Sequence, residues 1–242
     1  SGERLLPLAK RTLMDAVTCM DAVNEPKKML SGSLNIGITY TFAPILTETV
    51  IAFTKAHPAV KLNIFYKTME ELMSMLEKRE LDFVLSFKPS SVHPAIESHV
   101  LFDNNLSVIV NRYHPLAEKE KITLQDILPH GIAMPAKGLQ SRNEFDKLYP
   151  SAYNQMKVRM ELNEVNVLLD IVRGSSLITI LSEAVIHQTN GLVAIPFDVP
   201  DNIMVGCVHT ERGAYRKKAA EEFIRMLQES EVVRERAIQW LE

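Results

Sequence analysis

Histidine and cysteine are the side chains best suited to nucleophilic, acid–base or metal chemistry near neutral pH. The chain has seven of the first and two of the second. His57, His93 and His114 each precede a proline and read first as turn residues. His99, His130, His187 and His209 have no cysteine or carboxylate at ligand spacing. Cys19 and Cys207 form no CxxC pair and no disulfide framework, which suits a reducing compartment. They read as ordinary thiols packed as small apolar groups. No GxSxG, GxGxxG, P-loop or HExxH pattern occurs. Met69, Met73 and Met75 read as helix core and surface, and Glu70, Glu71, Glu77 and Glu80 as a solvated, capped helix. The expectation is a binding protein rather than an enzyme, with no catalytic residue, metal or cofactor.

What remains is a set of hydroxyl, amide and glycine residues at the starts of helices that follow strands. Ligands of open α/β sheets bind there, where free N–H groups and the positive end of the helix dipole favour an anion or carboxylate. Thr39, Tyr40 and Thr41 close one strand and open its helix. Lys67 and Thr68 do so for a second, Gly138, Leu139, Gln140 and Ser141 for a third, and Asn163 and Asn166 for a fourth. Thr41, Thr68, Ser141 and Asn163 also read as N-caps, and Arg142 as a surface charge.

The elements that would position these residues alternate. Strand patterns cover 34–40, 60–67, 81–87, 97–103 and 105–111, with helices at 42–56 and 69–79. Thr68 and Glu71 form a capping box. A second alternation has strands at 131–134, 157–162 and 176–181, and helices at 140–148 and 163–173. Gly174 stands where a left-handed cap would end the last helix. Strands at 192–196 and 203–209 and a helix at 213–229 follow, with one more short helix at 231–241. Strands separated by helices of this length imply βαβ units and parallel sheet. The chain therefore divides into two α/β halves, near 34–111 and 120–202.

Ahead of them, Leu5, Ala9, Thr12, Ala16, Cys19 and Val23 step by 4, 3, 4, 3 and 4, flanked by Leu6, Leu13 and Met20. That spacing lets two helices pack along a seam. Pro26, within 24–28, ends the pattern. The start at Ser1, inside a helical pattern, reads as a piece of something longer. Net charge is −3, where a nucleic-acid-binding surface is more often basic. No run approaches the roughly 20 apolar residues of a membrane helix. Charges in 1–11 stand where a signal peptide would have its apolar core, so a cytoplasmic location is expected.

The order of these segments resembles LysR-type transcriptional regulators of bacteria. GERLLPLAKRTL (2–13) is similar to the end of their DNA-binding domain running into the linker helix. SGSLNIGITYTFAPILTETVIAFTKAHPAVKLNI (31–64) resembles the start of the effector domain, and KTMEELMSMLEKRELDFVLS (67–86) its cap, helix and "LD" strand. LSVIVNRYHPLA (106–117) and LNEVNVLLDIVRGSSLITILSEAVI (162–186) are similar to later segments. The resemblance implies an α/β fold like a type 2 periplasmic binding protein, with two Rossmann-like subdomains joined by two crossovers and preceded by a linker helix. It divides the chain into a linker at 1–30 and an effector domain at 31–242. Subdomain I covers 31–112 and 203–242, and subdomain II covers 113–202. It implies a small effector held between the subdomains, hinge residues at Ser86, Phe87, His209 and Thr210, and a homodimer or homotetramer through Leu5, Leu6, Ala9, Leu13, Ala16 and Met20. DNA contact would belong to an N-terminal domain outside this chain. Lys67–Thr68 departs from the Gly-Ser/Thr of many members, adding a positive charge over the cleft. GSSLITILS (174–182) departs from their glycine-rich turn and proline, so other members' effectors do not transfer. A solute-binding protein for transport of a small organic anion is the alternative, disfavoured by the charged start and the seam helix.

Overall fold

The structure is a computed structural model. It describes residues 30–89, 94–186, 191–200 and 202–231, with Val233 and Arg234, and part of an N-terminal helix (Leu5, Leu6, Leu8, Ala9, Thr12, Leu13, Asp15, Ala16, Cys19 and Met20). The expectations for Val23, 24–28, His93, His187 and the tail after Arg234 lie outside the described residues. The chain forms two compact units, Ser1–Phe102 with Gly206–Glu242, and Asp103–Val205.

The first unit begins with β1 (Gly32–Ile38), a 3-10 turn (Tyr40–Phe42) and α1 (Ala43–Ala56). β2 (Val60–Tyr66), α2 (Met69–Glu77), β3 (Phe83–Phe87) and β4 (Ile96–Asn104) follow. With the returning strand β10 (Met204–Glu211) they make one sheet of order β2-β1-β3-β10-β4. β1 is parallel to β2 and to β3, and β10 runs antiparallel to β3. β1 is covered on both faces: Leu34, Ile36 and Ile38 on one face have no exposure, and on the other Gly37 lies so close to Leu72 and Leu81 that an added Cβ would come within 2.8 Å of each. α1 turns Ile45, Leu46, Thr49 and Phe53 inward. The Phe53 ring meets Phe223 of α6 (Lys218–Glu229) at 5.0 Å, and Phe223 meets Phe83 of β3 at 5.7 Å. α2 buries Leu72 and Leu76 with Leu81, Val84 and Ile96. The helix expected at 213–229 starts only at Lys218, because Gly213 turns left-handed and Lys217 donates to Asp82 and to the Ser33 carbonyl.

The second unit holds β5 (Leu106–Asn111), α3 (Leu124–Ile127), β6 (Gly131–Pro135), α4 (Gln140–Leu148), β7 (Lys157–Leu162), α5 (Val165–Arg173), β8 (Thr179–Ser182) and β9 (Leu192–Pro196). β5 lies antiparallel between β8 and β9, and β6 pairs parallel with β7. This pairing puts β5 in the second unit. The units therefore divide at 102/103 and 205/206 rather than at the expected 112/113 and 202/203. α5 buries Val165, Leu168, Leu169 and Val172, one stripe at helical period. Gly174 ends α5 at φ −95°, so the expected left-handed cap is not formed; its N–H closes on the Asp170 carbonyl instead. Buried Asn202 donates to the Leu106 and Phe197 carbonyls and accepts from the Leu106 N–H, which fixes where β5 begins.

The polar singletons resolve in local terms. His57 ends α1 with its ring against Phe53, and His114 caps a 3-10 turn by accepting from the Leu116 N–H. Cys207 is buried, as expected. Cys19 is exposed, contrary to its expected packing.

The four residues expected as a hinge all lie within the first unit, on adjacent strands. Ser86 and Phe87 end β3, and His209 and Thr210 stand on β10. The chain passes between units elsewhere, at Phe102–Asp103 and Val205–Gly206, because β3 leads into β4 of the same sheet. His209 is fully buried, with Nε2 3.3 Å from the Ser86 carbonyl and Nδ1 2.8 Å from Ser98 Oγ. A carbonyl only accepts, so Nε2 carries the proton and Nδ1 accepts from the serine hydroxyl. Burial pushes the ring down to about 4 from its ordinary 6.5, against the backbone of Ser86 and Phe87, which favours the charged form.

Two outcomes follow. A Cβ added at Gly206 would come 2.7 Å from the Phe102 ring. Gly206→Ala should therefore cost about 1–3 kcal/mol in chemical denaturation. For His209 the unfolded chain takes up a proton that the folded chain refuses between pH 6.5 and about 4. Stability therefore rises with pH across that window and falls as pH drops through it, by at most about 1.4 kcal/mol per pH unit. Burial lowers His114 in the same direction, so His209→Asn should flatten the measured slope without abolishing it.

Candidate functional site

In the first unit the expected residues gather where β1 and β2 end. The strands run in register to Ile38 opposite Tyr66, and the Lys67 N–H reaches the Ile38 carbonyl at 3.4 Å. Thr39 is held by its N–H on the Leu85 carbonyl, 3.1 Å away, and its own carbonyl accepts from the Phe42 N–H. Its hydroxyl is buried with no hydrogen-bond partner among the described residues, an arrangement that leaves a donor unused in the interior. Thr41 is buried in the 3-10 turn and is not the expected cap: α1 is entered from Phe42, with no side-chain cap. Tyr40 stacks on Tyr66 with ring centres 5.4 Å apart. Burial and the neighbouring Tyr40 raise the Tyr66 phenol above its ordinary value.

Lys67 and Thr68 are engaged locally. The Thr68 hydroxyl donates to Glu71 Oε2 at 2.8 Å and accepts from the Glu71 N–H, while the Thr68 N–H donates back to the same carboxylate. Lys67 Nζ lies 3.2 Å from Glu71 Oε1. The Thr68 backbone and hydroxyl, then Lys67, hold the Glu71 carboxyl below its ordinary range. The positive charge expected over the cleft at Lys67 is thus paired with Glu71 of the helix that follows it.

In the second unit, β6 and β7 also end side by side, with Pro135 opposite Leu162 and the Ala136 N–H on the Leu162 carbonyl at 2.8 Å. This brings the loop through Gly138 (φ 94°) beside Asn163. α4 opens at Gln140 from Leu139 without a side-chain cap. Ser141 is not a cap: it is buried and accepts from the Ser182 N–H at 3.2 Å. The cap of α5 is Glu164 rather than Asn163, its carboxylate accepting from the Val167 N–H at 2.7 Å. The Asn166 amide donates to that carboxylate at 3.0 Å.

Arg142, expected at the surface, is 2% exposed. Its guanidinium donates to Asp146, Glu161 and the Pro135 carbonyl and lies 4.6 Å over the Tyr153 ring. Tyr153 donates its phenol proton to Glu161. A pair at i and i+4 looks like a helix surface pair; the second carboxylate and the ring that bury Arg142 are distant in sequence.

Asn104 joins this edge of the second unit with no warning from the sequence, where it reads only as the gap between two strands. Its Oδ1 accepts from Ser182 Oγ at 2.7 Å and from the Ala184 N–H at 3.3 Å. Those donors fix the amide orientation, and Nδ2 is buried without a partner among the described residues. Each unit thus ends its parallel strands in a rim of hydroxyls, amides and helix starts, donors suited to an oxygen acceptor.

The LysR substrate binding domain family matches residues 27–231. The HTH-type transcriptional regulator cbl of Escherichia coli K12 is 27% identical over 149 residues, 61% of this chain and 47% of the regulator, so the chain spans about half of that relative's length. The regulatory domain of Synechocystis PCC6803 CcmR, solved in complex with 2-PG, superimposes with a TM-score of 0.71 at 20% identity, covering 82% of this chain and 97% of the domain. The effector binding domain of QuiR, in complex with shikimate, gives 0.67 at 21% identity, covering 83% and 97%. The strand order, the paired units and the match over 27–231 agree: the chain belongs to the LysR substrate-binding domain family.

Proposed function

We propose that this chain is the effector-sensing and oligomerising region of a cytoplasmic, DNA-binding LysR-type regulator, whose DNA contacts belong to a separate N-terminal domain. The effector is a small anion or carboxylate. In the first unit it is received by Thr39, Tyr40, Thr41 and the helix start at Lys67–Thr68. In the second it is received by Gly138, Gln140, Ser141 and the Asn163–Asn166 turn. The observation that carries this reading is the buried Thr39 hydroxyl, which has no partner among the described residues, where a parallel strand ends. Two similar domains, CcmR and QuiR, are described with 2-PG and shikimate bound, which supports a small-molecule ligand. Binding regulates to the extent that it favours one conformation over another.

The Thr39 hydroxyl makes no bond among the described residues, so Thr39→Val should leave the ligand-free melting temperature unchanged or slightly raised. A carboxylate bound at a hundred times its Kd adds about 2.7 kcal/mol, and for a chain of this size raises the midpoint by roughly 5–10 °C. That rise should shrink in Thr39→Val; a variant that keeps the full rise removes Thr39 from the site. Thr68→Val is a poorer probe, because losing the cap itself costs about 1 kcal/mol.

Assembly rests on the N-terminal helix. Leu5, Leu6, Leu13 and Met20 are 58–67% exposed, and Ala9 and Ala16 are exposed beside them. An open apolar stripe at this spacing fits a second copy of the same helix. Sedimentation at micromolar concentration should give a dimer or tetramer, and Leu6→Glu with Leu13→Glu should give smaller species. A monomer for the unchanged chain contradicts the seam.

A further inference from the structure

We propose that Arg79 is the positioning residue that seats the N-terminal helix on the first unit, at the end of the sheet opposite the polar rim. Arg79 lies in the turn between α2 and β3, at the N-terminal end of the parallel strands, whereas Thr39 and Lys67 follow their C-terminal ends. Its guanidinium bridges two elements. Nε donates to Glu211 Oε2 at 2.7 Å and Nη2 to Glu211 Oε1 at 3.1 Å, a two-pronged grip on the end of β10. Nη1 donates to Asp15 of the N-terminal helix at 2.5 Å. Neighbouring charges leave this bridge undisturbed: Lys217 takes Asp82 at 3.1 Å, and Arg216 turns to Glu97, His99 and the Thr210 hydroxyl.

The backbone marks the same residue. Among the described residues Arg79 is the non-glycine with positive φ, at 60°. Glycine or asparagine enters that region at less strain. An arginine there holds a strained turn and gives its side chain a fixed direction. Beneath the helix lies a cavity of about 320 Å³ lined by Asp15, Cys19, Arg79, Glu211 and Lys217 among others. Apolar side chains, Leu76, Leu81 and Tyr215 among them, line the same cavity, and the ion bridge spans it. β10 is also the strand by which the chain returns from the second unit. The chain Glu211–Arg79–Asp15 therefore joins the return strand to the helix on which oligomerisation is proposed to rest.

Hydrogen–deuterium exchange on the whole 242-residue chain tests this, with the thermal midpoint recorded in parallel. Arg79→Asn keeps a residue that accepts the left-handed turn, and Asp15→Asn changes only the helix side of the bridge. Both variants should exchange at least about five-fold faster across residues 5–20 while the sheet of the first unit keeps its protection and the midpoint holds. If Arg79 serves only its turn, Arg79→Asn leaves exchange in 5–20 as it was. Unchanged exchange there in either variant overturns the proposal.

Discussion

β1 is covered on both faces, and the rest of the first unit follows from that constraint. A strand in that position cannot carry polar side chains along its buried length without partners for them. Leu34, Ile36 and Ile38 fill it, flanked by β2 and β3, and α1 and α2 supply the apolar faces. Chemistry is thereby confined to the strand ends. At one end the backbone turns from strand to helix at Thr39 and Lys67, with N–H groups and hydroxyls in the turn. At the other end the acidic and basic groups of Asp82, Lys217, Glu211 and Arg79 pair with one another.

The two ends thus divide the work. The rim offers hydrogen-bond donors, one of them unused, and its carboxylate Glu71 is already occupied by Thr68 and Lys67. Such a surface favours an incoming acceptor over a cation. The far end offers a bridge to the N-terminal helix. A sheet is stiff along its strands, so a change at β10 is felt by every group that β10 holds, Glu211 included. The second unit repeats the first solution with different residues: β6 and β7 end side by side, and the loop through Gly138 and the N-terminus of α4 follow.

Periodic features were legible in the sequence because local spacing decides them. The β1, β2 and β3 runs, the Thr68–Glu71 box and the α4 and α5 helices fall within a few residues of their expected places. Features decided by partners distant in the chain were not legible. Arg142 is buried because Glu161 and Tyr153 come to it, and Asn104 acquires its role from Ser182 and Ala184. Glu164 rather than Asn163 caps α5, a choice between adjacent residues that local spacing leaves open. The unit boundary moved because pairing of β5 with β8 and β9 depends on strands 70 to 89 residues further on. Tyr66 carried a faint signal, an aromatic residue ending a strand directly before Lys67, but its stacking partner Tyr40 is set by register.

The central claim is that the strand-end rims receive a small acidic ligand. Backbone amide NMR of the whole chain, titrated separately with shikimate, benzoate and succinate, addresses it residue by residue. For at least one of these acids the account predicts saturable shifts concentrated at 39–42, 67–69 and 136–141, with the far end around Arg79 and Glu211 moving less. Saturable shifts confined to other surfaces, or no response at the rims to any of the three acids at millimolar concentration, would contradict it.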